Sequence, residues 1–162
     1  MKRLFAMLTV TMLLCGPVRA ADILKMSLDD ATTLGTRIEA DPEVKAEGKG
    51  SVRVTTRHAT TVCLGEVTGL MVEEARLIYR ARVKSELDGE AFLEMWAFVG
   101  TGQYYSRGLK APIRGKSDWT VLETPFVFQK GQNPGKIILN LVINGTGTVW
   151  VDDVVLAKLP LD

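Results

Sequence analysis

Apolar and polar positions alternate through most of the chain, most densely between Ala75 and Val99. Leu77, Tyr79, Ala81 and Val83 alternate with Ile78, Arg80, Arg82 and Lys84. After Leu87-Asp88-Gly89-Glu90, Leu93, Met95, Ala97 and Val99 alternate with Phe92, Glu94, Trp96 and Phe98. A period of two marks strands with one face toward a core. Asp-Gly between two such runs is a strong short-range hairpin signal, so the pattern predicts two strands joined by a turn at Asp88-Gly89. One face of that hairpin is aliphatic. The other carries cations, aromatic rings and Glu94, and is a candidate binding surface.

The flanking segments repeat the theme. Val52 and Val54 point inward from Gly50–Arg57, and Val62, Leu64 and Val67 from Thr60–Thr68. Trp119–Gln129 presents Val121, Phe126 and Phe128, with Pro125 marking an edge or bulge. Ile137, Leu139, Leu141 and Ile143 form one strand face, and Val149 and Val151 lie in a last strand, Thr148–Leu156. Gln103–Leu109 is a shorter strand carrying Tyr104 and Tyr105, and Thr32–Glu39 leans toward strand until Asp41-Pro42 stops it. Gly100-Thr101-Gly102, residues 110–118, Lys130–Lys136 and Asn144-Gly145-Thr146-Gly147 read as loops and turns. Residues 21–31 have no clean period. A loose helical fit over Thr68–Arg82 yields to the cleaner alternation from Ala75. Eight or nine short strands without a helix predict an all-β antiparallel sandwich.

The N-terminus is of another kind. Lys2-Arg3 precede an apolar run, Leu4 to Leu14, and Val18-Arg19-Ala20 place small residues where a signal peptidase reads. The run is too short for a permanent membrane span. Residues 1–20 are therefore expected to be a cleavable signal peptide and 21–162 a single domain, periplasmic or secreted. Cys15-Gly16 raises lipidation as the rival, but bulky Leu13-Leu14 stand where that peptidase takes small residues.

Composition narrows the function classes. Hydrophobic residues make up 46% and charged residues 24% of the 162, which suits one globular domain and not a disordered chain. Setting aside Lys2, Arg3 and Arg19 leaves 17 basic against 19 acidic residues. So balanced a domain offers no electrostatic ground for nucleic acid. With Cys15 removed, Cys63 is the sole thiol, excluding an intrachain disulfide, and its strand-like setting predicts a small buried hydrophobe. His58 stands alone without zinc spacing, and no Gly-x-Ser-x-Gly elbow or marked carboxylate pair appears, so no enzyme is expected.

Several segments resemble the galactose-binding-domain-like jelly roll, in particular the carbohydrate-binding modules of cellulases and xylanases. They are Glu47-Gly48-Lys49-Gly50-Ser51-Val52-Arg53-Val54, the Leu77–Val83 strand, and Ser117-Asp118-Trp119-Thr120 before Phe126-Val127-Phe128. Gly147-Thr148-Val149-Trp150-Val151-Asp152-Asp153-Val154-Val155-Leu156 completes the set, which covers about residues 45–157. The resemblance implies two antiparallel sheets, a polysaccharide or oligosaccharide across a concave face or loop end, and commonly a structural calcium. Such modules usually deliver an enzyme, and these residues hold no catalytic partner domain.

On the residues themselves, Trp96 is the sharpest candidate for a sugar platform, with Glu94 as hydroxyl acceptor, Arg80 and Arg82 as donors and Tyr105 at the rim. The plainer alternative makes Trp96 core and pairs Glu94 with an arginine across the strand. Trp119 and Trp150 read as structural. Asp152 and Asp153 offer adjacent oxygen ligands for calcium, against a turn-capping or surface role. The function expected is a secreted, non-catalytic carbohydrate-binding module. The alternative is a structural or protein-interaction sandwich docking an envelope or secreted protein, with no sugar ligand.

Overall fold

The computed structural model describes residues 20–29 and 38–161. The signal-peptide segment and most of Thr32–Glu39 lie outside the described residues. Eight strands follow in order: β1 Ala21–Met26, β2 Glu39–Asp41, β3 Ser51–Thr56, β4 Thr60–Thr68, β5 Ala75–Val99, β6 Gly102–Arg107, β7 Ile113–Phe128 and β8 Lys136–Pro160. Every pairing is antiparallel.

The expected hairpin at Asp88-Gly89 does not form. β5 runs through it as one strand of 25 residues, and β8, equally long, runs through the expected turn at Asn144-Gly145. The two strands pair along almost their whole length, from Ala75↔Pro160 to Phe98↔Lys136, with Gly89 opposite Gly145. Residues 110–118 are likewise less of a connection than expected, because β7 begins at Ile113. Residues 21–26, without a clean period, form β1 by pairing with β8.

The paired β5–β8 ribbon carries different neighbours at its two ends. At one end β4 joins β8 along residues 136–143 and β6 joins β5 along 94–99. At the other, β3 and β1 join β8, β7 joins β5, and β2 extends β3. Leu77, Tyr79, Ala81 and Val83 from one end lie in the same core as Leu93, Met95 and Ala97 from the other. The ribbon therefore folds over on itself, and its two ends make the two layers of a sandwich. Burying the valine, leucine and methionine side chains among them stabilises each by about 1.5–3 kcal/mol relative to exposure.

Alternation survives the fold-over. Odd-numbered residues of β5 face the core from Leu77 through Leu87 to Ala97. On β8 the odd positions face inward from Ile137 to Val151, after which Asp153, at φ 51°, forms a bulge and the inward set becomes Val154 and Leu156. The hydroxyl of Tyr79 is buried in this core without a partner among the described residues.

Candidate functional site

The outward positions of the β4–β8–β5–β6 layer form transverse rows, because directly opposed residues of antiparallel strands share a face. One row reads Cys63, Asn140, Glu94, Arg107; the next reads Glu66, Ile138, Trp96, Tyr105; a third reads Thr68, Lys136, Phe98, Gln103. β6 reaches this position through a tight turn at Gly100-Thr101, with Val99 paired to Gly102.

Four of these side chains hold one another. Trp96 Nε1 donates to Glu94 Oε1 at 2.5 Å, and Arg107 Nε donates to Glu94 Oε2. The Arg107 guanidinium also lies over the Tyr105 ring, 5.6 Å from its centroid, while Tyr105 meets Trp96 edge-on at 5.5 Å. Glu94 is only 3% exposed. A buried carboxylate needs both a counter-charge and hydrogen bonds, and here Arg107 supplies the first and Trp96 adds the second. Trp96 is partly exposed, and Tyr104 and Tyr105 are about half exposed, at 49% and 51%. Phe92, at 4%, is covered, while Phe98 is partly exposed beneath the Lys136 ammonium, 5.0 Å away. Lys136 also pairs with Glu66 at 3.6 Å.

Trp96, Glu94 and Tyr105 are thus brought together, but Arg80 and Arg82 are not with them. They share the even positions of β5, yet straight strand and fold-over carry them to the outer face of the opposite layer. There Arg80 lies 3.9 Å from Asp22, and Arg82 pairs with Glu47 at 3.6 Å and Asp153 at 3.5 Å. The cation beside Glu94 is Arg107, which the sequence reading missed. Its signal was the shared parity with Tyr105 in the run after Gly100-Thr101.

Of the two roles open to Asp152 and Asp153, calcium ligand and turn cap, the contacts of Asp152 are those of a cap. Buried Asp152 accepts from the backbone N–H groups of Ala46 and Glu47 at 3.0 Å each and of Asp153 at 2.7 Å. Asp153 faces Arg82 and, at 3.8 Å, Lys25. Among the described residues no group of three or more His, Cys, Asp or Glu side chains is placed to hold a metal ion.

Cys63 is exposed, not buried as expected, although partial desolvation still pushes its thiol above the ordinary value. His58 sits in the β3–β4 turn, where its backbone N–H donates to Thr56 Oγ1. Trp150 is structural: 9% exposed, it donates from Nε1 to Asp41 Oδ2 at 2.9 Å. Trp119 is partly exposed on β7.

The fold defined by these layers is that of carbohydrate-binding β-sandwich modules. A family 22 xylan-binding domain of a Paenibacillus barcinonensis xylanase superposes with a TM-score of 0.65 over 91% of this chain and 100% of that one, at 15% identity. A family 22 module with its catalytic domain from a Clostridium thermocellum xylanase, solved with xylohexaose, gives 0.61 over 84% of this chain and 28% of that one, at 14% identity. A family 16 carbohydrate-binding module gives 0.55 over 78% and 94%, at 12% identity. No protein-family model and no curated protein matches the sequence. At these identities the likeness is one of fold. No described helix is long and apolar enough to cross a membrane.

Proposed function

We propose that the protein is a secreted or periplasmic, non-catalytic carbohydrate-binding protein that takes a glycan across the outer face of β4, β8, β5 and β6. The observation that carries this reading is the connected group Trp96–Glu94–Arg107–Tyr105. Its buried carboxylate fixes an indole and a guanidinium, and Tyr105 beside them stands half open to solvent. Aromatic faces take the C–H side of a sugar while fixed polar groups orient its hydroxyls. Glu94 itself serves chiefly to hold Trp96 and Arg107, and Arg107 takes the donor role first expected of Arg80 and Arg82. Solved modules of the same fold described as xylan-binding support the choice of ligand class. The N-terminal pattern of Lys2-Arg3, Leu4–Leu14 and Val18-Arg19-Ala20 supports export.

The test is intrinsic fluorescence of the protein titrated with soluble polysaccharides, for wild type, Trp96→Ala and Tyr105→Ala. Circular dichroism establishes that each variant is folded. The expected result is a saturable change in wild type that both folded variants lose or weaken by tenfold or so. Binding unaltered in both would remove this face from the reading, and no response to any glycan would remove the ligand class.

A second reading, a docking surface for an envelope or secreted protein, is favoured by the opposite layer. Val121 and Val127 are exposed there at 58% and 42%, opposite Arg82 and Arg76 respectively. Co-purification with an envelope protein, lost on Val121→Asp, would support it.

A further inference from the structure

We infer that Asn140 is the residue of this face that selects the ligand, its side-chain amide taking two adjacent hydroxyls of an uncharged sugar. The inference rests on the glycan-binding reading above. Asn140 lies between the core residues Leu139 and Leu141 but points to the outer side, in register between Cys63 and Glu94. It is 3% exposed, and its amide makes no hydrogen bond to any described residue. Nor is that amide fully sealed: the sealed, unpartnered side-chain atoms among the described residues are Arg53 Nε and Tyr79 OH. Only the edge of the amide therefore reaches the face.

A polar group so deeply set and left without a partner requires a reason. The neighbouring groups hold one another, and only the exposed guanidinium of Arg107 keeps N–H groups free for a ligand at the rim. Glu94 is held by Trp96 and Arg107, and Arg107 also lies against Tyr105. Among the buried positions of the face, the Asn140 amide is a donor–acceptor pair with no partner among the described residues. Its carbonyl oxygen accepts and its NH2 donates, which matches two neighbouring hydroxyls, one giving a proton and one taking it.

Charge decides the class of sugar. On this face Glu94 is balanced by Arg107, and Glu66 by Lys136. A carboxylated sugar at Asn140 would come to rest beside Glu94 with no uncommitted cation among the described residues of the face. An uncharged sugar meets no such cost. Two residues along the strands, about 7 Å, the next row presents Trp96 and Tyr105, so a chain held at Asn140 continues over the aromatic pair.

The experiment measures binding of arabinoxylan, mixed-linkage glucan and galactomannan, all uncharged, and of polygalacturonate and alginate, both carboxylated. Wild type, Asn140→Leu and Asn140→Ala are compared. Asn140→Leu keeps the volume and removes an amide with no protein partner, so it should stay folded and melt no lower than wild type. The expected result is wild-type binding of an uncharged glycan and weakening by tenfold or more in both variants. Wild-type binding that the variants retain overturns the assignment of Asn140 and leaves the glycan reading standing. Wild-type binding restricted to carboxylated glycans overturns the charge argument, whether or not the variants fold. Binding of none of the five overturns the glycan reading and this inference with it.

Discussion

Gly89 of β5 and Gly145 of β8 face each other where the paired ribbon folds over. A Cβ on Gly89 would strike the carbonyl oxygen of Asn144, and one on Gly145 the carbonyl oxygen of Asp88. Both residues sit at positive φ, 132° and 156°. Glycine is thus required here for close approach of two strands, where a turn signal would suggest a chain reversal.

Replacing Gly89 by alanine should therefore destabilise the protein by about 2 kcal/mol or more, since strain and backbone collision add. Gly100→Ala is the control. Gly100 has φ 59° and open space around a would-be Cβ, so its cost should stay near 1 kcal/mol. Urea unfolding of both variants measures the difference. Equal costs would mean that the crossing of β5 and β8 is not tightly packed.

The same crossing explains what was legible in the sequence and what was not. Strand content, the core faces and the sandwich class follow from the period of two. The connectivity did not, because Asp-Gly and Asn-Gly serve a hairpin and a tight strand crossing equally well. Parity held the correction. A two-residue turn at Asp88-Gly89 would put Leu77 and Val83 on the same face as Glu94 and Trp96, whereas Leu77 to Ala97 keep one parity throughout. Trp96, Glu94 and Tyr105 lie together because all stand on outward positions at that end of the ribbon. Arg80 and Arg82 were placed with Glu94 by matching the polar faces of the two runs without carrying the register through the turn, whereas the observed strand carries them past the fold-over to the other layer. That Asp152 caps Ala46 and Glu47 is not legible in the sequence, because these donors are more than a hundred residues distant.

Tyr79 points to a stabilising substitution. Its hydroxyl is buried without a partner among the described residues, and burial pushes the phenol well above its ordinary value. Removing an unsatisfied buried hydroxyl while keeping the ring recovers its desolvation cost. Tyr79→Phe should raise stability by about 1 kcal/mol in urea unfolding. A loss of stability instead would reveal a partner for the hydroxyl.

The Glu94–Arg107 pair should be coupled energetically despite its exposed partner. Glu94→Gln leaves the guanidinium without its counter-charge and should cost about 1–2 kcal/mol, less than a fully buried pair because the Arg107 side chain is 53% exposed. A double-mutant cycle with Arg107→Ala should return a coupling of about 1 kcal/mol. The Trp96 emission should also shift in Glu94→Gln, since the indole N–H loses a charged acceptor. Strict additivity with an unchanged spectrum would contradict the arrangement.

The Asp41–Trp150 contact gives stability a signature in acid. The indole N–H of Trp150, the backbone N–H groups of Val44 and Glu43, and Arg53 hold the Asp41 carboxyl below its ordinary value of 3.8. A carboxyl depressed by folding stabilises the native state at pH values above its unfolded pKa, and that contribution disappears as pH falls through the lower folded value. Asp41→Asn removes the charge but keeps most of the shape. Its deficit in melting temperature relative to wild type should therefore be full at pH 7, begin to shrink near the ordinary carboxyl value of 3.8 and go on shrinking as pH falls through the lower folded value. Trp150→Phe, which deletes the main donor, raises the folded value toward the unfolded one, so the pH-dependent loss should become smaller and be complete at higher pH while its onset stays where it was. A deficit in Asp41→Asn that stays constant from pH 7 to pH 3 would mean that the ionised carboxylate contributes nothing to folding.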